Sequence, residues 1–179
     1  MPVYPSELVS EWRAPDGTAV TIRPIRPEDA GIEQEFVKSL SPEAKYLRFM
    51  GTVEELTPAM LKYFTQVDYD RDMALVAVVH EGARERQVAV ARYVLNPDGE
   101  SCEFAIVVAE AWQGCGLGKH LLLQLIAIAR ARGIKVMVGQ ALAANPQMLG
   151  LAIELGFSVE DGAGSPTVKE LRLSLAVDR

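Results

Sequence analysis

The chain has 179 residues, 49% of them hydrophobic and 23% charged, which suffices for one domain with a sizeable core. A net charge of −6 argues against a nucleic-acid binder, which would carry a basic stripe, and suits a basic partner such as an amine better. Two cysteines without metal-type spacing predict neither a disulfide framework nor a metal site. No apolar run nears the ~20 residues of a membrane span, and no signal pattern follows Met1, so a reduced cytoplasm is the default location.

Residues 1–17 mix Pro2, Pro5, Pro15 and Asp16-Gly17 with Trp12, and read as an amino-terminal arm ending in a turn; residues 18–179 read as a single domain. Thr18–Arg23 alternates and predicts the first strand. Pro27-Glu28-Asp29 then opens a helix, since proline fits the first helical position and acids suit the first turn. Ser41-Pro42 and Thr57-Pro58 repeat that signal and predict helices near 42–49 and 58–66. Met73–His80 and Gln87–Leu95 are strand-like runs around a turn at Gly82, and Asn96-Pro97-Asp98-Gly99 turns the chain into a third run, Glu103–Val108. A largely buried helix follows over Lys119–Arg132, then a strand at Ile134–Val138, a helix at Pro146–Leu155 and a closing strand at Val168–Leu175. Central hairpins followed by a strand–helix–strand crossover predict a mixed α/β fold: a mostly antiparallel sheet of six to seven strands with helices on both faces.

The segment Gln113-Gly114-Cys115-Gly116-Leu117-Gly118-Lys119 lies between the third run and the long helix. Alternating glycines let backbone amides approach a ligand closely, and a helix start adds free N–H groups and a positive dipole end, so the loop suits a phosphate. It is not a Walker A loop, because His120 follows Gly118-Lys119 and Gln113 stands where the first glycine should be. It is not a Rossmann fingerprint either, because neither register places a third glycine at Lys119 or Leu121. The pattern that fits is Gln-x-x-Gly-x-Gly.

That pattern in a strand–loop–helix setting resembles the pyrophosphate-binding motif of the GNAT acyltransferase superfamily, and Asn145, Met148, Leu151 and Leu155-Gly156-Phe157 resemble the family's following helix. The resemblance implies the GNAT fold and acetyl-CoA as cosubstrate. It implies a pyrophosphate held by Gln113, Gly114, Cys115, Gly116, Leu117, Gly118 and Lys119. The pantetheine would pair with the splayed strand at Ile106, Val107 and Val108, and Asn145 would touch it. On the residues alone Asn145 is equally a plain helix N-cap before Pro146.

Acetyl transfer to an amine requires the free base, and a lysine at neutral pH is almost entirely ammonium, so a general base is needed. Glu103, a lone carboxylate in an apolar strand, is the candidate: burial would raise its pKa, and many GNAT enzymes carry a glutamate base on this strand. The alternative is a glutamate on a solvated strand face. Where many relatives carry a tyrosine as general acid, this chain has Ala152. Cys115 could be a nucleophile, but no His-Asp partner set accompanies it.

Thr21–Asp29, Leu40-Ser41-Pro42-Glu43 with Tyr46 and Arg48-Phe49, and Tyr69–Leu75 look like the GNAT domain of bacterial Pat-type protein lysine acetyltransferases. That likeness implies a protein substrate with a reactive lysine, an acyl-CoA synthetase such as acetyl-CoA synthetase among them, modified by a monomer or dimer. A small-amine N-acetyltransferase and a non-catalytic acetyl-CoA sensor are the alternatives, since fold does not separate them.

Overall fold

The structure is a computed structural model that describes residues 2–51, 53–162 and 164–176. The described residues form one eight-stranded sheet in the order β1-β2-β3-β4-β5-β6-β8-β7. The strands are β1 (Ser10–Arg13), β2 (Ala19–Pro24), β3 (Asp72–Glu81), β4 (Arg84–Leu95), β5 (Ser101–Val108), β6 (Val136–Leu142), β7 (Ser158–Gly162) and β8 (Ser165–Ser174). Every neighbouring pair is antiparallel except β5 and β6. Five α-helices accompany them: α1 (Ala30–Ser39), α2 (Pro42–Phe49), α3 (Pro58–Thr65), α4 (Leu117–Ala131) and α5 (Pro146–Glu154).

The predicted architecture is present, with three differences. The amino-terminal segment contributes β1, paired through Trp12 and Val20, so the sheet begins inside the stretch read as an arm. β7 is mostly polar and lacks the apolar alternation that marks a strand, which is why the sheet has eight strands rather than six or seven. β6 starts two residues later than Ile134 and runs on to Leu142, because β8 supplies partners as far as Val168.

β3 and β4 form the centre, buried on both faces from Met73 to Val79 and from Gln87 to Tyr93. Side chains alternate across the sheet. Val90, Arg92, Ala105 and Val107 therefore share the face covered by α1, α2 and α3, while Cys102, Phe104, Ile106 and Val108 face α4. α4 places Leu117, Leu121, Leu122, Leu125, Ile126 and Ala129 in the core, the amphipathic stripe of a helix lying on a sheet.

Ser41 and Thr57 cap α2 and α3 by accepting from the backbone N–H of Ala44 and Met60. The entry to α1 is fixed by a buried ion pair. Arg23 of β2 donates to both carboxylate oxygens of Asp29 at 2.7 and 2.8 Å, and Asp29 also accepts from the Arg26 backbone N–H.

The parallel pair of β5 and β6 is short. Pairing runs from Ser101↔Val136 through Glu103↔Val138 and stops, although both strands continue. Beyond that point the Phe104 ring lies against Gly139, where an added Cβ would be 2.4 Å from the ring, and tilts against Phe157 with centroids 5.1 Å apart. The strands fork around this wedge.

Substituting Gly139→Ala should therefore cost about 1–3 kcal/mol, the usual range for overpacking. Gly31→Ala, in α1 with open space around its Cβ position, should instead stabilise by about 0.5–1 kcal/mol through helix propensity. Urea denaturation of the two variants checks both signs.

Candidate active site

The fork opens into a cleft of about 890 Å³, within the range of small-molecule sites. One wall is the outer half of β5, Phe104 to Val108; the other is Gln140 and Ala141 of β6 with the Asn145–Leu151 end of α5. The glycine loop closes one end, and Glu43, Ala44, Leu47 and Arg48 of α2 border the other. Because β6 leaves β5 after Glu103, the backbone groups on that edge of β5 lack a strand partner and face the cleft.

The loop is built to present amides. Gly114 and Gly116 hold φ of +75° and +92°, conformations that a side chain disfavours. Gly116 is the N-cap of α4 with no side-chain cap, so the N–H groups of Leu117, Gly118 and Lys119 have no intrahelical acceptor. A Cβ on Gly118 would sit 3.4 Å from Val108, so glycine brings the helix start close to the strand.

Other loop residues hold its shape. Gln113 donates through Nε2 to the Val108 carbonyl at 3.0 Å, pinning the loop to the end of β5. Leu117 is fully buried and anchors the turn in the core. Lys119 is exposed and pairs with Glu154 of α5 at 2.6 Å, linking the two helices that flank the opening.

Trp12, read from the sequence as part of an arm, supports the loop from behind. Its indole stacks on His120 with centroids 5.9 Å apart and comes within 3.9 Å of the Cβ position of Gly116. Ser10 of the same strand accepts from Gln124, one turn further along α4. Desolvation holds the His120 imidazole below its ordinary pKa, which favours the neutral ring in that stack. No spacing rule in the sequence links Trp12 to residue 120; only the pairing of β1 with β2 brings them together.

The remaining sequence candidates divide clearly. Ile106, Val107, Val108, Gln113, Gly114, Gly116, Gly118, Lys119 and Asn145 line the cleft. Asn145 caps α5, its Oδ1 accepting from the Met148 backbone N–H at 3.2 Å, so that its side chain has a structural task as well. Cys115 points its thiol at the Trp112 carbonyl, 2.9 Å away, and does not line the cleft.

Glu103 differs from expectation. It is the last residue of β5 paired with β6, at the apex of the fork, but it is exposed rather than buried and sits one residue outside the cleft lining, which begins at Phe104. The apolar strand pattern that suggested burial describes its neighbours Cys102 and Phe104, which point to the opposite face.

Residues missed by sequence reasoning lie beside it. Arg48 lines the α2 end of the cleft, with its Cζ 5.0 Å from the Phe49 ring centroid and 6.0 Å from that of Phe64. Arg92 stacks on the same Phe64 ring at 4.5 Å and donates to the Phe64 carbonyl. Glu33, buried on α1, accepts from Gln87 at 2.8 Å. Burial pushes the Glu33 carboxyl up, and burial with Arg92 nearby pulls the Arg48 guanidinium down to about 10. Ala152 is fully buried. Among the described residues no group of three or more His, Cys, Asp or Glu side chains could hold a metal, and no helix is long and apolar enough to cross a membrane.

Comparison with known proteins agrees with this geometry. The model of the acetyltransferase (GNAT) family matches residues 37–157. Acetyltransferase PA5475 of Pseudomonas aeruginosa is 40% identical over 142 residues, 79% of this chain and 76% of that protein. Acetyltransferase Pat of Mycolicibacterium smegmatis is 32% identical over 136 residues, 75% of this chain but 40% of the longer relative. Among solved structures, the GNAT domain of S. lividans PAT superposes with a TM-score of 0.85 at 27% identity, covering 96% of this chain and 99% of that one. The Salmonella typhimurium acetyltransferase yncA, solved with its cofactor acetyl-CoA, superposes with a TM-score of 0.68 at 26% identity over 88% of this chain and 94% of that one.

The loop yields a direct test. Gly116→Asp places a carboxylate among the free amides and forces a side chain onto a φ of +92°. Coenzyme A affinity, measured by calorimetry on protein that circular dichroism shows to be folded, should fall by more than tenfold; unchanged affinity would remove the loop from the binding site.

Proposed function

The chain belongs to the acetyltransferase (GNAT) family, and on that premise we propose that it acetylates the ε-amine of a lysine on a folded protein, with Glu103 as general base. The acetyl donor of the family is acetyl-CoA. The free amides of Leu117, Gly118 and Lys119 would take the pyrophosphate, beside Gln113, Gly114, Cys115 and Gly116. The pantetheine would lie along Ile106–Val108, using the β5 backbone groups that β6 leaves free, with Asn145 on the opposite wall. The thioester then points toward the fork.

The observation that carries the catalytic reading is the place of Glu103 at the apex of that fork, where the two strands part. A carboxylate there can accept a proton from an incoming ammonium. The free amine attacks the thioester carbonyl; the C–N bond forms as the C–S bond breaks, and the sulfur keeps the electron pair. Of the two protons the nitrogen loses, one ends on the thiol and one goes to solvent. A coenzyme A thiolate needs no dedicated acid to leave, because thiol pKa values lie near 8.5, which fits the buried Ala152.

A protein acceptor is supported by the likeness of almost the whole chain to the GNAT domain of PAT, and by an open cleft bordered by the short helix α2. The sequence likeness to Pat-type enzymes points to an acyl-CoA synthetase as the partner class. A net charge of −6 favours a basic acceptor surface and a salt-sensitive encounter.

Glu103→Gln should lower turnover roughly 100-fold at neutral pH, the lower end of general-base contributions, with coenzyme A affinity retained. The deficit should narrow as pH rises and the acceptor is already neutral; a pH–rate profile identical to wild type in height and shape would exclude Glu103 as the base.

The acceptor is decided by comparing catalytic efficiency on acetyl-CoA synthetase with that on spermidine and free lysine, mass spectrometry locating the modified side chain. Preference for the protein is expected. A polyamine or antibiotic amine acetylated far more efficiently would replace this reading with a small-amine N-acetyltransferase.

A further inference from the structure

Acetylation of a lysine faces a difficulty that an exposed Glu103 does not resolve by itself. The ordinary lysine ammonium titrates near 10.4, and a solvated carboxylate is a weak base toward it. The structure holds a second electrostatic device at the same end of the cleft. Arg48 of α2 and Arg92 of β4 flank one ring, Phe64, at 6.0 and 4.5 Å. Both lie beneath the α1–α3 layer, and Arg48 also lines the cleft. Among the described residues the Arg48 guanidinium makes no ion pair, and the faces of Phe49 and Phe64 hold it.

The groups around Arg48 come from every element packed on it. Glu33 of α1 is the buried carboxylate facing both arginines, and it is engaged by Gln87. Tyr63 of α3 and Glu103 of β5 lie within Coulombic range, and Glu43 on its own helix borders the cleft. Glu43 and Glu103 are exposed, so water and salt screen them, whereas Arg92 is buried, Arg48 is half-buried at the cleft, and Asp72 of β3 also acts on Arg92. Of the groups held out of water here, Arg92 and part of Arg48 are cationic, and burial pushes the opposing Glu33 carboxyl up, toward its neutral form.

We propose that Arg48, backed by Arg92 across the Phe64 ring, destabilises an ammonium at the acceptor end of the cleft, so that the entering lysine releases its proton to solvent, with Glu103 as the relay, and remains as the free amine. Like charge in a low-dielectric site disfavours a second cation, which is the sense required. The device adds no atom to the reaction: one proton leaves the nitrogen by way of Glu103 for solvent, and attack proceeds as above. Arg48 is thus a positioning residue acting on the protonation state of the acceptor. The inference rests on the reading that the acceptor is an amine, but not on that amine belonging to a protein.

The test compares wild type, Arg48→Gln and Arg48→Lys across pH 6.5–10 with a lysine peptide, and at pH 7 with butylamine, benzylamine and trifluoroethylamine in order of falling basicity. Arg48→Gln should lose roughly tenfold in kcat at pH 7, recover toward wild type as pH approaches the amine's own titration, and lose least with trifluoroethylamine. Arg48→Lys, which keeps the charge, should retain most of the rate. Coenzyme A affinity should be equal in all three, which separates the effect from misfolding. Should Arg48→Gln fold poorly, the wild type alone decides: its rate should depend less on amine basicity than the uncatalysed protonation equilibrium does. A loss uniform across pH and across amines would overturn the proposal and leave Arg48 a packing residue. Acetylation of the small amines but not the peptide would refute the protein-lysine reading while the amine series still judged Arg48; no acetylation of any amine would overturn both.

Discussion

The contact of Phe104 with Gly139 sets the geometry on which the rest of the site depends. Two parallel strands that begin in register would normally continue in register, because each further residue satisfies another pair of backbone groups. Here a ring at Phe104 occupies the space over Gly139 that any Cβ would claim, and Phe157 holds the ring from the other side. Pairing ends at Glu103↔Val138, while β8 holds the other edge of β6 along its whole length. The edge of β5 is thereby left with unpaired backbone groups beside an apolar cleft, a combination that folded proteins otherwise avoid.

Support for the glycine loop comes from three directions. β5 holds it through the Gln113 side chain on Val108, the core holds it through Leu117, and the first strand backs it with Trp12 on His120. Such bracing matters because an array of free amides works only if it does not collapse onto internal acceptors. The uncapped start of α4 is tolerable for the same reason: its orphan N–H groups face a site where an anion can satisfy them.

The opposite layer is organised by charge. Arg23 and Asp29 fix where α1 begins, and α1 carries Glu33 under the sheet to meet Arg92, with Arg48 arriving from α2. A buried network of this kind contributes little net stability, since desolvation offsets most of the attraction. Its consequence is local: it places fixed charge and stacked rings at one end of the cleft, while the other end offers backbone amides. The two ends are thus chemically distinct.

The sequence by itself determined most of the order of elements, the mixed sheet and the glycine loop at the start of α4, because those depend on local signals: alternation, cap-then-proline pairs, and glycines where φ must be positive at Gly114 and Gly116. It also separated Gln113 and Gly118 from the fingerprints of other nucleotide-binding loops. It could not reveal β7, whose polar residues carry no period, nor that Trp12 lies behind a loop more than a hundred residues away. It marked Glu103 but misjudged its surroundings, since burial depends on which helices reach that end of β5. The meeting of Glu33, Arg48 and Arg92 around Phe64 was decided only in the folded molecule. Local sequence sets backbone conformation, whereas the field at a site is the sum of charges brought together from distant segments, and no spacing in the chain encodes that sum.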